Sequence, residues 1–302
     1  MNAYRTSTLA LTGLLSTLCL ISASSLQEEM PDKPMTDGFR DHLLFYASFD
    51  ETATADFAKG DAELYTLAAS QGGGRPEAGL HDEAVTLEED KGVAGGALEF
   101  HAKQRNLTYY RGLENLAYSS ESWSGSISFW LQLDPAKDLE PGFCDPIQFT
   151  DSRYNDAAIW VDFTKENPRT FRLGVLGDLE AWNPENVSPD GNPELTKRLI
   201  PVEKPPFRRG TWTHVLINYD KLNAEGATTQ LYLDGELQGS LDVKDPFTWD
   251  PARARMMLGL SYIGLMDELA VFDRPMEPKQ VAELFETKSL KGWLADTSAE
   301  QR

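Results

Sequence analysis

Four histidines, His42, His81, His101 and His214, are the side chains of the type most often used for proton transfer near neutrality. None has the neighbours that catalysis needs. No serine stands in a Gly-x-Ser-x-Gly turn, so a nucleophile–histidine pair has no anchor. No His-x-x-x-His spacing and no cysteine pair offers zinc its ligands. Candidate carboxylate groups such as Asp82-Glu83 and Glu88-Glu89-Asp90 fall in polar, loop-like stretches and read as solvated. Sugar recognition asks for a different set: exposed rings that stack on pyranose faces, beside amides and carboxylates that bond hydroxyls. Trp130 points away from the apolar face of its strand, and Trp182-Asn183 lies in a long loop with Asn186, Asp190 and Asn192. Tyr109, Tyr110 and Trp160 are further options. The competing reading for each ring is packing against a second sheet or under a loop.

The composition narrows the partners. Lys and Arg number 28 against 48 Asp and Glu, a formal charge of −20. Such a surface repels phosphate backbones, whose binding draws on Lys and Arg contacts. Nucleic acid and anionic membrane are therefore excluded as expected partners. Neutral sugars, cations or simple solubility fit the acidity better. The two cysteines cannot form a framework: Cys19 lies in an N-terminal apolar stretch and Cys144 stands alone. Cys144, in Pro-Gly-Phe-Cys-Asp-Pro, is expected to be a quiet, half-buried thiol.

The first 25 residues have the three parts of an export signal: Arg5, the apolar run Leu9 to Ile21, and the small residues Ser22-Ala23-Ser24-Ser25. The run is too short to span a bilayer comfortably, and no later stretch qualifies as a membrane helix. The expected location is secreted, periplasmic or cell-surface, with no transmembrane segment once the signal is cleaved. Residues 26–41 are acidic and carry prolines, as a flexible leader would. One domain is expected over 42–287, followed by a polar tail over 288–302.

Within that domain the chain alternates short strand-like runs with Gly, Pro, Asn and Asp, the pattern of an all-β antiparallel sandwich. In Ser126–Leu133, Ile127, Phe129, Leu131 and Leu133 share one face, the period-2 alternation of a half-buried strand. Thr213–Tyr219 repeats it with Val215, Ile217 and Tyr219. Leu231-Tyr232-Leu233, then Asp234-Gly235, predicts a tight hairpin. Further strands are expected near 43–49, 97–100, 157–163, 170–175, 256–260 and 268–272. Val281, Leu284 and Phe285 share one face of a short helix opened by Pro278. The proline-rich segment 177–209 reads as one long candidate binding loop.

Six of these landmarks, in order, resemble one family: Leu44–Glu51, Gly95–Phe100, Ser126–Leu133, Gly210–Val215, Leu231–Gly235 and Ile263–Pro275. The chain is identified as similar to the laminin-G-like jelly roll of the concanavalin A-like lectin/glucanase superfamily. The resemblance implies two stacked antiparallel sheets with a short C-terminal helix, and a secreted, non-catalytic carbohydrate-binding module. Its glucan-cleaving members carry a Glu-x-Asp-x-Glu strand that this chain lacks. The alternatives are an extracellular adhesion or protein-interaction domain, or a divergent polysaccharide hydrolase or lyase. The partner expected is a glycan or glycoprotein, the oligomeric state being left open. Members of the fold often hold a structural Ca2+ where the first and last strands meet. That implies Asp50 and Asp267, with Glu268, as hard oxygen ligands, or else a surface acid group with basic partners.

Overall fold

The computed structural model describes residues 40–68, 74–104, 106–189 and 191–294. The expected signal segment and all but the last two residues of the expected leader lie outside them. Among the described residues no helix is long and apolar enough to cross a membrane.

The strands, in chain order, are β1 (Leu43–Ala47), β2 (Phe57–Ala58), β3 (Leu64–Leu67), β4 (Glu77–Ala78), β5 (Val85–Glu88) and β6 (Ala97–Phe100). Next come β7 (Leu107–Arg111), β8 (Trp123–Gln132), β9 (Cys144–Arg153), β10 (Asp156–Phe163), β11 (Phe171–Leu176) and β12 (Leu199–Val202). The last are β13 (Thr213–Leu222), β14 (Thr228–Leu233), β15 (Glu236–Asp242), β16 (Arg255–Leu260) and β17 (Gly264–Phe272). Two antiparallel sheets result. The first runs β15-β14-β13-β8-β17-β1-β2, with β6 also on β17 and β5 on β6; the second runs β12-β11-β10-β9-β16-β7-β3-β4.

The alternating apolar residues dictate how the sheets face each other. Ile127, Phe129 and Leu131 sit opposite Ile217, Val215 and Thr213 across the β8–β13 ladder. The three apolar β8 side chains are essentially inaccessible. They meet Ile147, Phe149, Ile159, Val161, Phe171 and Leu173 of the second sheet in one core. Burying each such side chain contributes about 1.5–3 kcal/mol, so the period-2 pattern fixes which face turns inward. Trp123 anchors one end, with ring centroids 4.6 Å from both Tyr219 and Trp249. Opposite ends of the domain close the first sheet: β1 pairs with β17, Ala47 opposite Leu269. Asp234 and Gly235 both take positive φ (50° and 82°), as the predicted two-residue hairpin turn between β14 and β15 requires.

Each sheet's outer face is partly covered, and both covers differ from the expectation. The segment 177–209 is not one open loop. It contains α1 (Leu179–Trp182), α2 (Pro193–Thr196) and β12, and places Trp182, Leu195 and Leu199 against Ala158, Trp160 and Leu176. On the first sheet, α3 (Pro278–Thr287) opens with a reciprocal Glu277–Gln280 capping box and lays Val281 and Leu284 over Leu43, Tyr46, Leu216 and Tyr232. The expected polar tail begins later than 288. Leu290 is buried in the same cluster, and Lys291 reaches Asp50 at 2.7 Å.

Candidate functional site

Of the five large hydrophobic residues that are exposed among those described, two are aromatic, Phe143 and Tyr154. Both line one cleft of about 450 Å3 on the outer face of the second sheet. Phe143 precedes β9, following Gly142, whose φ of 118° lets the chain turn sharply into the strand. Tyr154 sits in the short connection between β9 and β10. The wall opposite comes from the 177–209 segment, through Ser188, Pro189, Gly191, Leu195 and Thr196.

Trp160 forms part of the cleft lining. Its ring lies against Gly174 on β11, where a Cβ would fall 2.4 Å from Cζ2, so glycine is required for the close approach. Its Nε1 donates to the Tyr154 carbonyl oxygen at 2.8 Å, tying the lining to the Tyr154 turn. Beside it Arg172 makes a two-point pair with Asp162, Nε to Oδ1 at 2.8 Å with a second bond between Nη2 and Oδ2. Its guanidinium carbon stands 5.2 Å from the Phe143 ring centroid and 5.8 Å from that of Trp160. Burial raises the Asp162 carboxyl, against the pull of Arg172. Burial, then repulsion from Asp162, raises the Asp145 carboxyl well above the usual range. The cleft thus combines two exposed aromatic faces, one spent cation and two carboxyls.

The other expected sugar-binding rings are not available, and each is a correction. Trp130 does leave the core face of β8, but α3 covers it: it is 3% exposed and stacks on Phe285, 5.6 Å between centroids. Tyr110 is wholly buried, its hydroxyl donating to the Ala53 carbonyl at 2.5 Å. Trp182 is buried under the segment it was expected to present, and its Nε1 donates to the Asn155 carbonyl oxygen. Asn183 is buried too and spends its amide on Val187, accepting from N and donating to O. Of the expected set, Trp160 alone lines the cleft, and it too is buried, at 3% exposure.

The acidic corner where β1 meets β17 is a second arrangement. Asp50 and Asp267 both grip the loop 92–96. Asp50 Oδ1 accepts from the Gly96 N–H at 2.9 Å, and Asp267 Oδ2 from the Val93 N–H at 2.7 Å. The loop can approach because a Cβ on Gly95 would lie 2.1 Å from Asp50 Oδ1, and one on Gly92 2.6 Å from Asp267 Oδ2. Asp267 is fully buried and, among the described residues, meets amides but no cationic side chain. Burial and the adjacent Glu268 push its carboxyl up to about 9. Asp50 keeps Lys291. Glu268 faces elsewhere, accepting from Tyr46 Oη at 2.7 Å and Leu290 N at 3.3 Å, with its Oε1 buried and unpartnered. Asp50 and Asp267 are thus held on one loop by main-chain N–H groups, whereas the Glu268 carboxylate is committed beneath the C-terminal segment. A different group, Glu88, Glu99 and His101, brings three ligand atoms within 4.8 Å. Lys91 already bridges its two carboxylates at 2.9 and 2.6 Å.

His214 lies on β13. It is fully buried, its Nε2 lies 2.8 Å from Ser128 Oγ, and burial holds its pKa down at about 3. Cys144 is fully rather than half buried, and burial raises its thiol pKa.

Comparison with known proteins follows the architecture. No curated protein matches the chain. Its fold is similar to the binding domain of botulinum neurotoxin DC in complex with SialylT: 14% identity, TM-score 0.54, covering 82% of this chain and 52% of that one. It is also similar to the binding domain of Paraclostridial Mosquitocidal Protein 1, at 13% identity and TM-score 0.52, covering 83% and 53%. A botulinum neurotoxin type C structure, reported as dependent on two ganglioside molecules for cell entry, aligns at 12% identity and TM-score 0.53, covering 83% and 52%. The chain spans about half the length of these toxin structures, and at such identity the likeness is one of fold. The model of the concanavalin A-like lectin/glucanases superfamily matches residues 113–282, more than half of the sequence. The chain is thus a laminin-G-like member of that superfamily.

Proposed function

We propose that this chain is an exported, non-catalytic glycan-binding module, and that the glycan lies in the cleft between Phe143 and Tyr154. One observation carries the reading: the exposed large aromatics among the described residues are two, and both line the same cleft. A domain that leaves two rings in water beside hydrogen-bonding groups has built the apolar-and-polar surface that a pyranose presents in reverse. The toxin domains similar in fold, in complex with SialylT or dependent on gangliosides, are consistent with such use of the architecture. Export rests on the signal-like first 25 residues. Binding the native state raises stability by mass action, so a ligand at a hundred times its Kd adds about 2.7 kcal/mol. Thermal unfolding of purified protein across a broad panel of soluble oligosaccharides is expected to show a clear upward shift for one class. A panel without any shift overturns the reading.

We further infer that a structural Ca2+ binds through Asp50 and Asp267. Such an ion supplies positive charge against a buried carboxylate and locks the loop 92–96 to both ends of the domain. Chelator is expected to lower the unfolding temperature, millimolar Ca2+ to restore it, and Asp267→Asn to abolish the difference. An unfolding temperature indifferent to chelator in the wild type rejects the ion.

A further inference from the structure

The charge inside the cleft narrows the class of glycan. Among the described residues Arg172 is the only basic one lining it, and its charge is already engaged by the two-point pair with Asp162. That pair is largely shut off from solvent, with side chains 16% and 5% exposed. Low surrounding polarizability strengthens the pairing and makes it costly to break for an incoming anion. Among the described residues Asp145 stands in the same lining with no ion pair of its own, sharing Arg172 with Asp162, and the whole chain carries −20. A carboxylate on the ligand must shed its water beside Asp145 and Asp162 while competing with Asp162 for Arg172. Hydroxyl groups face no such conflict. They can accept from the Arg172 Nη1 hydrogens, which the Asp162 pair leaves over, and donate to the carboxyl oxygens of Asp145.

We propose that the cleft selects neutral glycans and rejects sialic-acid- and uronate-bearing ones, with Asp145 and the Asp162–Arg172 pair as the specificity-determining residues. This rests on the placement of the glycan in the cleft. It separates the chain from the toxin domain in complex with SialylT despite the shared fold. Local charge decides the matter here, because a fold is compatible with either preference.

The test is an array on which each neutral chain stands beside its sialylated and glucuronylated counterparts, probed with the full chain at low and high salt. Neutral members are expected to bind at least about tenfold more tightly than their acidic partners at low salt. The gap should narrow as ionic strength rises from about 0.05 to about 0.5 M, because salt screens the repulsion between an acidic ligand and a chain carrying −20. Asp162→Asn, which keeps the shape and releases the Arg172 guanidinium, is expected to narrow the gap without added salt. Equal or tighter binding of acidic members overturns the selection and leaves glycan binding standing. A gap that ignores both salt and Asp162→Asn assigns the preference to something other than this cluster and overturns it too. Binding to no member at all overturns the glycan reading itself.

Discussion

The double variant Phe143→Ala, Tyr154→Ala is expected to lose about 100-fold in glycan affinity while unfolding within about 1 kcal/mol of the parent. Each ring keeps an exposed face, at 40% and 43% exposure, on which a sugar in the cleft can stack. A ring–sugar stack worth about 1–1.5 kcal/mol per aromatic, lost twice, gives the 100-fold figure. Replacing exposed side chains away from special features changes stability little. The contrasting set is Trp130→Ala, Tyr110→Ala and Trp182→Ala. These rings are buried and hold structure, so each should cost about 3–5 kcal/mol of stability. Calorimetric titration with the strongest ligand from the panel, paired with chemical denaturation, separates the two behaviours. Unchanged affinity in the double variant moves the glycan off this cleft.

The contrast between those two sets marks where sequence reading stops. Strand period is local, so the faces of β8, β13 and the β14–β15 hairpin are legible from alternation and one Asp-Gly step. The ordered landmarks place β1 beside β17. What a strand's outer face meets is not local. Trp130 reads as a free ring on β8, yet α3, almost 150 residues later, lies across it with Phe285. Trp182 sits in a stretch whose prolines suggest an open loop. Arg198 pairs with Asp245 at 2.5 Å and folds that stretch back onto the second sheet, carrying Trp182 inward. Phe143 and Tyr154 did leave a signal. Each is an aromatic next to a glycine- or asparagine-bearing turn, where the chain reverses and a ring can stay partly exposed. β9 itself is harder to see, since Asp145, Pro146 and Asp151 break the apolar alternation that identifies β8.

The acidic corner and the cleft carry charge in different ways, and the difference bears on what each can hold. At the corner, main-chain N–H groups and glycine spacing fix the carboxylates of Asp50 and Asp267 around a loop. That rigid pair of carboxylates is where the Ca2+ is proposed. In the cleft, one guanidinium and two carboxyls sit beside exposed rings, and the groups left over are single hydrogen-bond donors and acceptors. That suits hydroxyls spaced along a sugar. The first arrangement ties the ends of the domain together, and the second faces solvent, so ion-dependent stability and glycan binding should respond to separate substitutions.

Acid is expected to weaken the fold through His214, with the loss beginning near pH 6.5. The imidazole is enclosed between Trp130, 4.9 Å away by ring centroids, and Phe285, at 6.1 Å. Its Nδ1 has no partner and its Nε2 meets only Ser128 Oγ, so nothing nearby compensates a positive charge. Its folded pKa of about 3 lies below the ordinary 6.5. The unfolded chain therefore takes up the proton first. Stability that is fully present above pH 6.5 falls by about 1.4 kcal/mol per pH unit as the pH drops towards 3. Carboxyls with raised pKa, Glu268 at about 7 and Asp145 among them, act in the opposite sense and gain stability over part of the same range. The His214 contribution is therefore read as a difference. His214→Phe should be less stable than the parent at pH 7, having lost the Ser128 bond. The gap should close by about 2 kcal/mol between pH 6.5 and 5, because only the parent has an imidazole to protonate. Urea denaturation of both proteins at half-unit pH steps measures it. Parallel pH profiles would place His214 in contact with solvent and open the cover that α3 lays over the first sheet.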